Sequence, residues 1–250
     1  MSLIFKNTIA SEEKTRYNNY IMETSRRKGD VSMLSGKLLS ILGDSISTYE
    51  GVSNDATANP TISQNPYFYR EPFPVDKTYW RLVLDALGLT LCVNNSWSGG
   101  NLSGRDDPSS GLNRAANLSG KAGAPDIIIV FMGINDLGRT MMINAEDFAA
   151  DYRETLAKIR KSYPSAKVCC VNLPDRDIYL KERASVFNKA ILDAVDEAGC
   201  DFFVADLYGS RLRDDFYYMN TLDGLHPDED GMRIIAEIIT ESIRNNIYNI

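Results

Sequence analysis

The only histidine of the 250-residue chain, His226, is the residue best suited to move a proton near neutral pH. Asp223 stands three residues earlier, close enough in the chain to hold the second ring nitrogen of the imidazole. Ser45, in the sequence Gly-Asp-Ser, follows a short apolar segment, and a serine hydroxyl becomes a nucleophile when a base lies beside it. Ser45, Asp223 and His226 therefore predict acyl transfer through a serine nucleophile.

Two other segments carry groups that could stabilise a developing negative charge. Gly99, in Ser-Gly-Gly, allows a backbone N–H to approach a substrate closely, and Asn135, in Gly-Ile-Asn-Asp, offers a side-chain amide. Together with the backbone N–H of Ser45 they could form an oxyanion hole, in which each donor is typically worth about 3 kcal/mol. Gly100 is a rival for the role of Gly99, and Asp136 is expected to be structural.

Metal and cofactor chemistry finds little support in the sequence. Zinc sites built from several histidines cannot form with one histidine, and the chain has no Cys-x-x-Cys pair. No glycine-rich phosphate loop or dinucleotide fingerprint occurs. We therefore expect no metal and no cofactor, and we expect the cysteines to be small buried apolar residues. They are Cys92, Cys169, Cys170 and Cys200.

The elements that must position these residues alternate along the chain. Short apolar runs predict strands over residues 38–42, 89–93, 127–132, 166–171 and 202–205. Helical spacing predicts helices over residues 80–87, 145–162, 180–198 and 230–245. This alternation is typical of an α/β three-layer sandwich with a five-stranded parallel sheet. Ligands bind such sheets at the carboxyl ends of the strands, where Ser45, Gly99 and Asn135 all follow predicted strands.

Two segments depart from this alternation of strands and helices. Residues 1–33 are polar and mainly helical in pattern, which predicts an arm that packs on a single domain of residues 34–250. Residues 50–78 form a long loop rich in aromatic residues, and a loop of that length is usually functional or covers a site. No signal peptide is evident at the N-terminus, so a cytoplasmic location is the default, with a removed native signal left open.

The polar segments, taken in order, resemble the four blocks of the SGNH (GDSL-type) hydrolase superfamily. The resemblance covers about residues 37–240, with isoleucine after Ser45 where the name-giving motif has leucine. The matching positions are Ser45 in Gly-Asp-Ser, Gly99, Asn135 in Gly-x-Asn-Asp, and Asp223 and His226 in Asp-x-x-His. The α/β-hydrolase elbow Gly-x-Ser-x-Gly occurs nowhere in the chain.

The resemblance implies a flavodoxin-like fold with strand order 2-1-3-4-5 and esterase or acylhydrolase chemistry that needs no metal. It implies that Ser45 attacks the ester carbonyl while His226, oriented by Asp223, takes the serine proton. It also assigns the oxyanion hole to the backbone N–H groups of Ser45 and Gly99 and to the amide of Asn135.

The leading hypothesis is a serine esterase, with O-deacetylation of a carbohydrate as the favoured subclass. Trp97 and the aromatic residues that precede Trp80 could stack on sugar rings. A lysophospholipase or thioesterase acting on acyl chains is the alternative within the class. A non-catalytic carbohydrate-binding module on the same fold is the alternative from another class.

Charge and hydropathy exclude other partners. The net charge of −7 leaves no basic footprint for nucleic acid, and the longest apolar run is far short of the ~20 residues that a membrane span needs. The expected partner is a small-molecule or carbohydrate ester, and the sequence leaves the oligomeric state open.

Overall fold

The computed structural model describes residues 34–53, 67–138, 143–174, 180–210 and 220–247. The residues described from Gly36 onward belong to one compact unit. The helical arm predicted over residues 1–33 lies outside the described residues, as does the middle of the long aromatic loop. The arm and its boundary with the domain therefore stay predictions.

Five parallel strands form one sheet in the order β2-β1-β3-β4-β5. They are β1 Leu38–Gly43, β2 Thr90–Ser96, β3 Ile127–Phe131, β4 Lys167–Val171 and β5 Phe202–Ala205. Every residue of β3 is buried, which explains its unbroken apolar sequence: a central parallel strand is covered on both faces. The predicted α/β fold and its strand order are confirmed.

Helices cover both faces of this sheet. They are α1 Tyr79–Leu87, α2 Gly111–Arg114, α3 Ile134–Gly138, α4 Ala145–Ser162, α5 Lys181–Ala198 and α6 Glu229–Ile247. Helix α1 packs on α6, and α4 packs on α5. The strand order reverses at β1: β2 lies on one side of it, and β3, β4 and β5 follow on the other. Because connections between parallel strands are right-handed, this reversal puts α1 on one face of the sheet and α4 and α5 on the opposite face.

Strand β2 is longer than the sequence predicts and ends at Ser96 instead of residue 93. Its last three residues are polar but buried, and each side chain has a hydrogen-bond partner. Asn94 donates to the Ser47 carbonyl over 2.9 Å, Asn95 donates to the Asn117 carbonyl, and the Ser96 hydroxyl donates to Asn94. Because these partners satisfy the polar groups, the strand continues where hydropathy alone indicates a loop.

The cysteines differ in their surroundings. Cys169 and Cys170 are buried in β4, as predicted, whereas Cys92 is half-buried. The expected burial of Cys200 is wrong, because this residue is exposed in the turn between α5 and β5. Over the same described ranges, no helix combines the length and apolar character required to cross a bilayer.

Candidate active site

The strand ends bring three polar segments to one edge of the sheet. Gly43, the last residue of β1, pairs in register with Ser96 at the end of β2 and with Phe131 at the end of β3. The segments that follow these three strands therefore leave the sheet at the same level. A side chain at Gly43 would not fit, since its Cβ would lie 2.5 Å from the Ser47 hydroxyl oxygen.

Ser45 opens a short 3-10 turn, Ser45–Ser47, and is 3% exposed. Asp44 caps this turn, its carboxylate accepting a hydrogen bond from the Ile46 N–H over 3.0 Å. The hydroxyl groups of Ser47 and Tyr79 lie 2.7 Å apart and anchor the turn to α1. The N–H of the first residue in such a turn has no intrahelical acceptor, so the Ser45 N–H can serve a ligand.

Asp223 and His226 lie in a tight turn just before α6. Thr221 and Pro227 form a bridge across it, and the Leu222 N–H donates to the His226 carbonyl over 2.8 Å. One carboxylate oxygen of Asp223 accepts the backbone N–H groups of Leu225 and His226 at 3.0 and 2.8 Å. This arrangement fixes the carboxylate beside the imidazole before any substrate arrives.

The turn places the imidazole between a carboxylate and a hydroxyl. Asp223 Oδ2 lies 2.8 Å from His226 Nδ1, and His226 Nε2 lies 2.9 Å from Ser45 Oγ, across 181 positions of the sequence. Burial alone would raise the pKa of Asp223, but hydrogen bonds from the His226 backbone and ring outweigh it and hold that pKa below its usual value. The carboxylate is therefore ionised when the imidazole titrates.

The remaining predicted residues lie on the two neighbouring segments. Gly99 has a positive φ of 74°, which favours glycine. Gly100, its rival, donates its N–H to the Trp97 carbonyl over 3.0 Å, so that N–H is already occupied by a turn. The Asn135 amide donates one hydrogen to the Gly100 carbonyl over 2.9 Å and keeps a second hydrogen for another acceptor. This contact joins the segment after β3 to the segment after β2.

Asp136 is structural, as expected. Its buried carboxylate accepts the backbone N–H groups of Leu102 and Ser103 at 2.7 and 2.9 Å. Burial raises the pKa of Asp136, and those two N–H groups counter that effect. The contacts fasten the loop after Gly99 to α3 and so hold both segments in place.

Sequence reasoning missed Arg114, which lies buried in α2. Its guanidinium donates to the Gly43 carbonyl over 3.0 Å, to the Ser109 carbonyl over 2.8 Å and to the Asn95 carbonyl. Burial lowers its pKa to about 10. Nothing in the local pattern marks this residue, since arginines are rarely buried and two of its acceptors, the Asn95 and Gly43 carbonyls, lie 19 and 71 residues away.

Within the described ranges, no three His, Cys, Asp or Glu side chains are grouped so that they could hold a metal ion. Ser45 and His226 place a hydroxyl beside an imidazole, a carboxylate oxygen of Asp223 lies at the other ring nitrogen, and backbone and amide donors lie on adjacent segments. A nucleophile, a base and candidate oxyanion donors are the parts that acyl transfer requires.

Comparisons with known proteins agree with this geometry. Residues 41–234 match the GDSL-like lipase/acylhydrolase family. Among proteins with curated descriptions, none matches the chain in sequence. A GDSL-like lipase candidate from Bacteroides ovatus is 25% identical, with a TM-score of 0.61, over 84% of this chain and 99% of that one.

Two carbohydrate esterases share the fold at lower identity. A family 2 enzyme from Myceliophthora fergusii, solved with its carbohydrate-binding domain, is 20% identical with a TM-score of 0.58 over 85% of this chain and 67% of that one. A family 2 enzyme from Clostridium thermocellum, in complex with cellohexaose, is 18% identical with a TM-score of 0.61 over 86% and 65%. The match over residues 41–234 decides the family: the chain belongs to the GDSL-like lipases and acylhydrolases and is a hydrolase of ester bonds.

Proposed function

We propose that Ser45, His226 and Asp223 are the catalytic triad of this esterase. The observation that carries the proposal is the unbroken sequence of contacts from Asp223 Oδ2 through the imidazole to Ser45 Oγ, at 2.8 and 2.9 Å. In the required tautomer Nδ1–H donates to the carboxylate, and Nε2 accepts the hydroxyl proton.

Acylation begins when Ser45 Oγ attacks the ester carbonyl carbon and its proton moves to His226 Nε2. The new C–O bond forms as the carbonyl π electrons move to oxygen, and the resulting oxyanion needs hydrogen-bond donors. The N–H groups of Ser45 and Gly99 and the second amide hydrogen of Asn135 would supply them. When the carbonyl re-forms, the bond to the alcohol breaks, and the alcohol leaves with the proton from Nε2.

Deacylation repeats these steps with water as the nucleophile. His226 Nε2 takes a proton from water as the water oxygen attacks the acyl carbon of Ser45. Collapse of the second tetrahedral intermediate breaks the bond to Ser45 Oγ, which recovers a proton from Nε2, and the carboxylic acid leaves. Asp223 stabilises the imidazolium in both halves of the cycle and exchanges no proton.

O-deacetylation of a carbohydrate is the subclass that we favour. A surface groove of about 420 Å³ lies beside the turn that carries His226, and the half-buried rings of Phe68 and Phe73 line it. Arg70 and Glu229 also line it, so aromatic faces stand next to charged groups that can bond hydroxyls. A sugar-binding site needs both, because aromatic faces stack on sugar rings and charged groups bond their hydroxyls. Trp97, the other aromatic residue considered for stacking, is 9% exposed and too buried to offer a face.

Acyl-chain hydrolysis is the second candidate because of Leu222. This side chain is 55% exposed and lines the same groove as Phe68 and Phe73, which makes part of the groove wall apolar. A lysophospholipase or thioesterase would use such a wall for a fatty acyl chain.

A panel of substrates separates the two candidates. Initial rates are measured on p-nitrophenyl acetate, butyrate and palmitate, and acetate release is measured on acetylated xylan. A carbohydrate deacetylase releases acetate from xylan and loses rate steeply as the acyl chain lengthens. A higher kcat/KM for palmitate than for acetate, with no acetate released from xylan, would reject the carbohydrate assignment and favour acyl chains.

A further inference from the structure

The segment of residues 67–73, here called the aromatic segment, is bonded to the turn that carries Ser45. The Phe68 N–H donates to Thr48 Oγ1 over 2.9 Å, and the same hydroxyl donates to the Ser45 carbonyl over 2.9 Å. The Glu50 N–H donates to the Tyr69 carbonyl over 3.0 Å. One side of the aromatic segment is therefore fixed relative to the serine backbone.

The other side of the aromatic segment contacts the histidine. The ring of Phe68 stacks on the imidazole of His226, with 3.4 Å between ring centroids and 10° between planes. Tyr69, which is 1% exposed, donates its hydroxyl to the Pro227 carbonyl over 2.7 Å and meets the imidazole edge-on. The aromatic segment thus connects two turns that are far apart in sequence.

The imidazole turns about its Cα–Cβ and Cβ–Cγ bonds, and the hydrogen bonds at Nδ1 and Nε2 limit these rotations fully only while both are in place. Rotation about Cβ–Cγ tips the plane of the ring and moves its nitrogens away from their partners. A ring packed flat on one face also resists this rotation, because it would break the van der Waals contact over the whole face. Phe68 makes that contact.

The imidazole needs this restraint more during deacylation than during acylation. Once Ser45 is acylated, its Oγ has no proton to donate, and the imidazole loses its hydrogen bond to Ser45 at Nε2. Asp223, its partner at Nδ1, has 45% of its side chain exposed, so water competes for its carboxylate. During deacylation the stacked ring of Phe68 therefore takes a larger share in keeping Nε2 directed at the acyl carbon.

We propose that Phe68 is a positioning residue that holds the imidazole of His226 in its productive plane, and that it serves deacylation more than acylation. The proposal rests on the proposed triad. Loss of the stacked ring leaves the acyl-enzyme chemically intact but slows its hydrolysis. Misplacement of a catalytic group by about 1 Å can cost about 100-fold in rate.

The test is Phe68→Leu, which keeps an apolar side chain but removes the stacked ring. With p-nitrophenyl acetate, kcat is expected to fall between about 10- and 100-fold, while kcat/KM, which reports acylation, changes far less. KM falls with kcat, and a burst of p-nitrophenol precedes the slow steady state. Phe68→Met carries the same test if the leucine variant does not fold.

Two variants serve as controls. Phe68→Tyr keeps an aromatic face over the imidazole and is expected to retain kcat near the wild-type value. Phe202→Leu removes a ring at the start of β5, at the edge of the sheet opposite the site, where it packs under Arg160, and it is expected to leave kcat and kcat/KM near their wild-type values. An equal fall in kcat and kcat/KM for Phe68→Leu, or no fall in either, overturns the inference.

A proton NMR measurement tests the contact without any substrate. A ring stacked at 3.4 Å shifts the imidazole resonances of His226 upfield, and these are the only imidazole signals of the chain. They are expected to move downfield in Phe68→Leu and to stay in place in Phe202→Leu. Unchanged resonances in Phe68→Leu overturn the inference, whereas activity that survives Ser45→Ala overturns the triad itself.

Discussion

Asp44 and Arg114 are both buried beneath the candidate nucleophile, yet their charged groups are not hydrogen-bonded to each other. One oxygen of the Asp44 carboxylate accepts the Ile46 N–H, and the other has no hydrogen-bond partner among the described residues. The guanidinium of Arg114 donates instead to backbone carbonyls, including that of Gly43. Burial therefore raises the pKa of Asp44 to about 7, although the nearby guanidinium partly opposes the rise.

This raised pKa predicts a pH-dependent stability. Between pH of about 4 and 7 the unfolded chain releases the Asp44 proton and the folded protein keeps it, so folding is weakened as pH rises through that window. Asp44→Asn should abolish this contribution. Urea unfolding of both proteins at the two ends of the window measures it. The free energy of unfolding of the wild type relative to the variant should be lower at the higher pH, and an equal difference at both ends would contradict the burial argument.

Asp223→Asn should lower kcat by about 10³- to 10⁴-fold. The amide can still accept the backbone N–H groups of Leu225 and His226, so the turn keeps its shape. Its NH2 group, however, meets Nδ1 with a donor, which stabilises the wrong tautomer. Asp230→Asn, an exposed carboxylate on α6, is the matched control and should keep the wild-type rate. Steady-state kinetics that show a loss of less than about tenfold for Asp223→Asn would assign the orienting role to another group.

Asn135→Ala should lower kcat by about 10²- to 10³-fold with little change in KM, because its amide is expected to bond the oxyanion more strongly than the ground-state carbonyl. The variant also loses the bond to Gly100. Asn246→Ala removes an exposed asparagine that bonds its own helix and serves as the control. A rise in KM with unchanged kcat would show instead that Asn135 binds the substrate uniformly.

The pH–rate profile should follow one ionisation on its acidic side. Protonated His226 cannot accept the proton of Ser45, so kcat/KM falls as pH decreases, whereas Asp223, with its lowered pKa, stays ionised across that range. An ordinary imidazole titrates near ~6.5. NMR titration of the single histidine should give the same midpoint as kcat/KM, since both report the free enzyme. Midpoints that differ by more than about one pH unit would mean that another group controls the rate.

Local sequence patterns predict much of the fold. Strand β3 is apolar throughout because it lies at the sheet centre, and α4 shows both its Asn144 cap and its apolar stripe. The hydropathy pattern predicts an end of β2 that is three residues too early. Asn94 and its neighbours can be buried there because the folded chain provides hydrogen-bond partners for them. The exposure of Cys200 was missed for a similar reason, since its position in a turn outweighs its apolar neighbours.

Some residues of the candidate site are likewise predictable from short sequence motifs, and others are not. Ser45, Asn135 and His226 stand in short motifs at the ends of segments, and parallel topology brings such ends together. Arg114 and Phe68 act through backbone carbonyls and a ring face, and their partners lie up to 158 residues away. No spacing rule covers such contacts, because the three-dimensional path of the chain determines them.

The most direct test of the triad is covalent labelling of the nucleophile. A fluorophosphonate should add once to the wild type, and peptide mass spectrometry should place the adduct on Ser45. Ser45→Ala should fold, remain unlabelled and lose at least about 10⁴-fold in kcat on p-nitrophenyl acetate, whereas Ser98→Ala, on the neighbouring segment, should label and hydrolyse like the wild type. An adduct on a different serine, or a folded Ser45→Ala protein with near wild-type hydrolysis, would contradict the account.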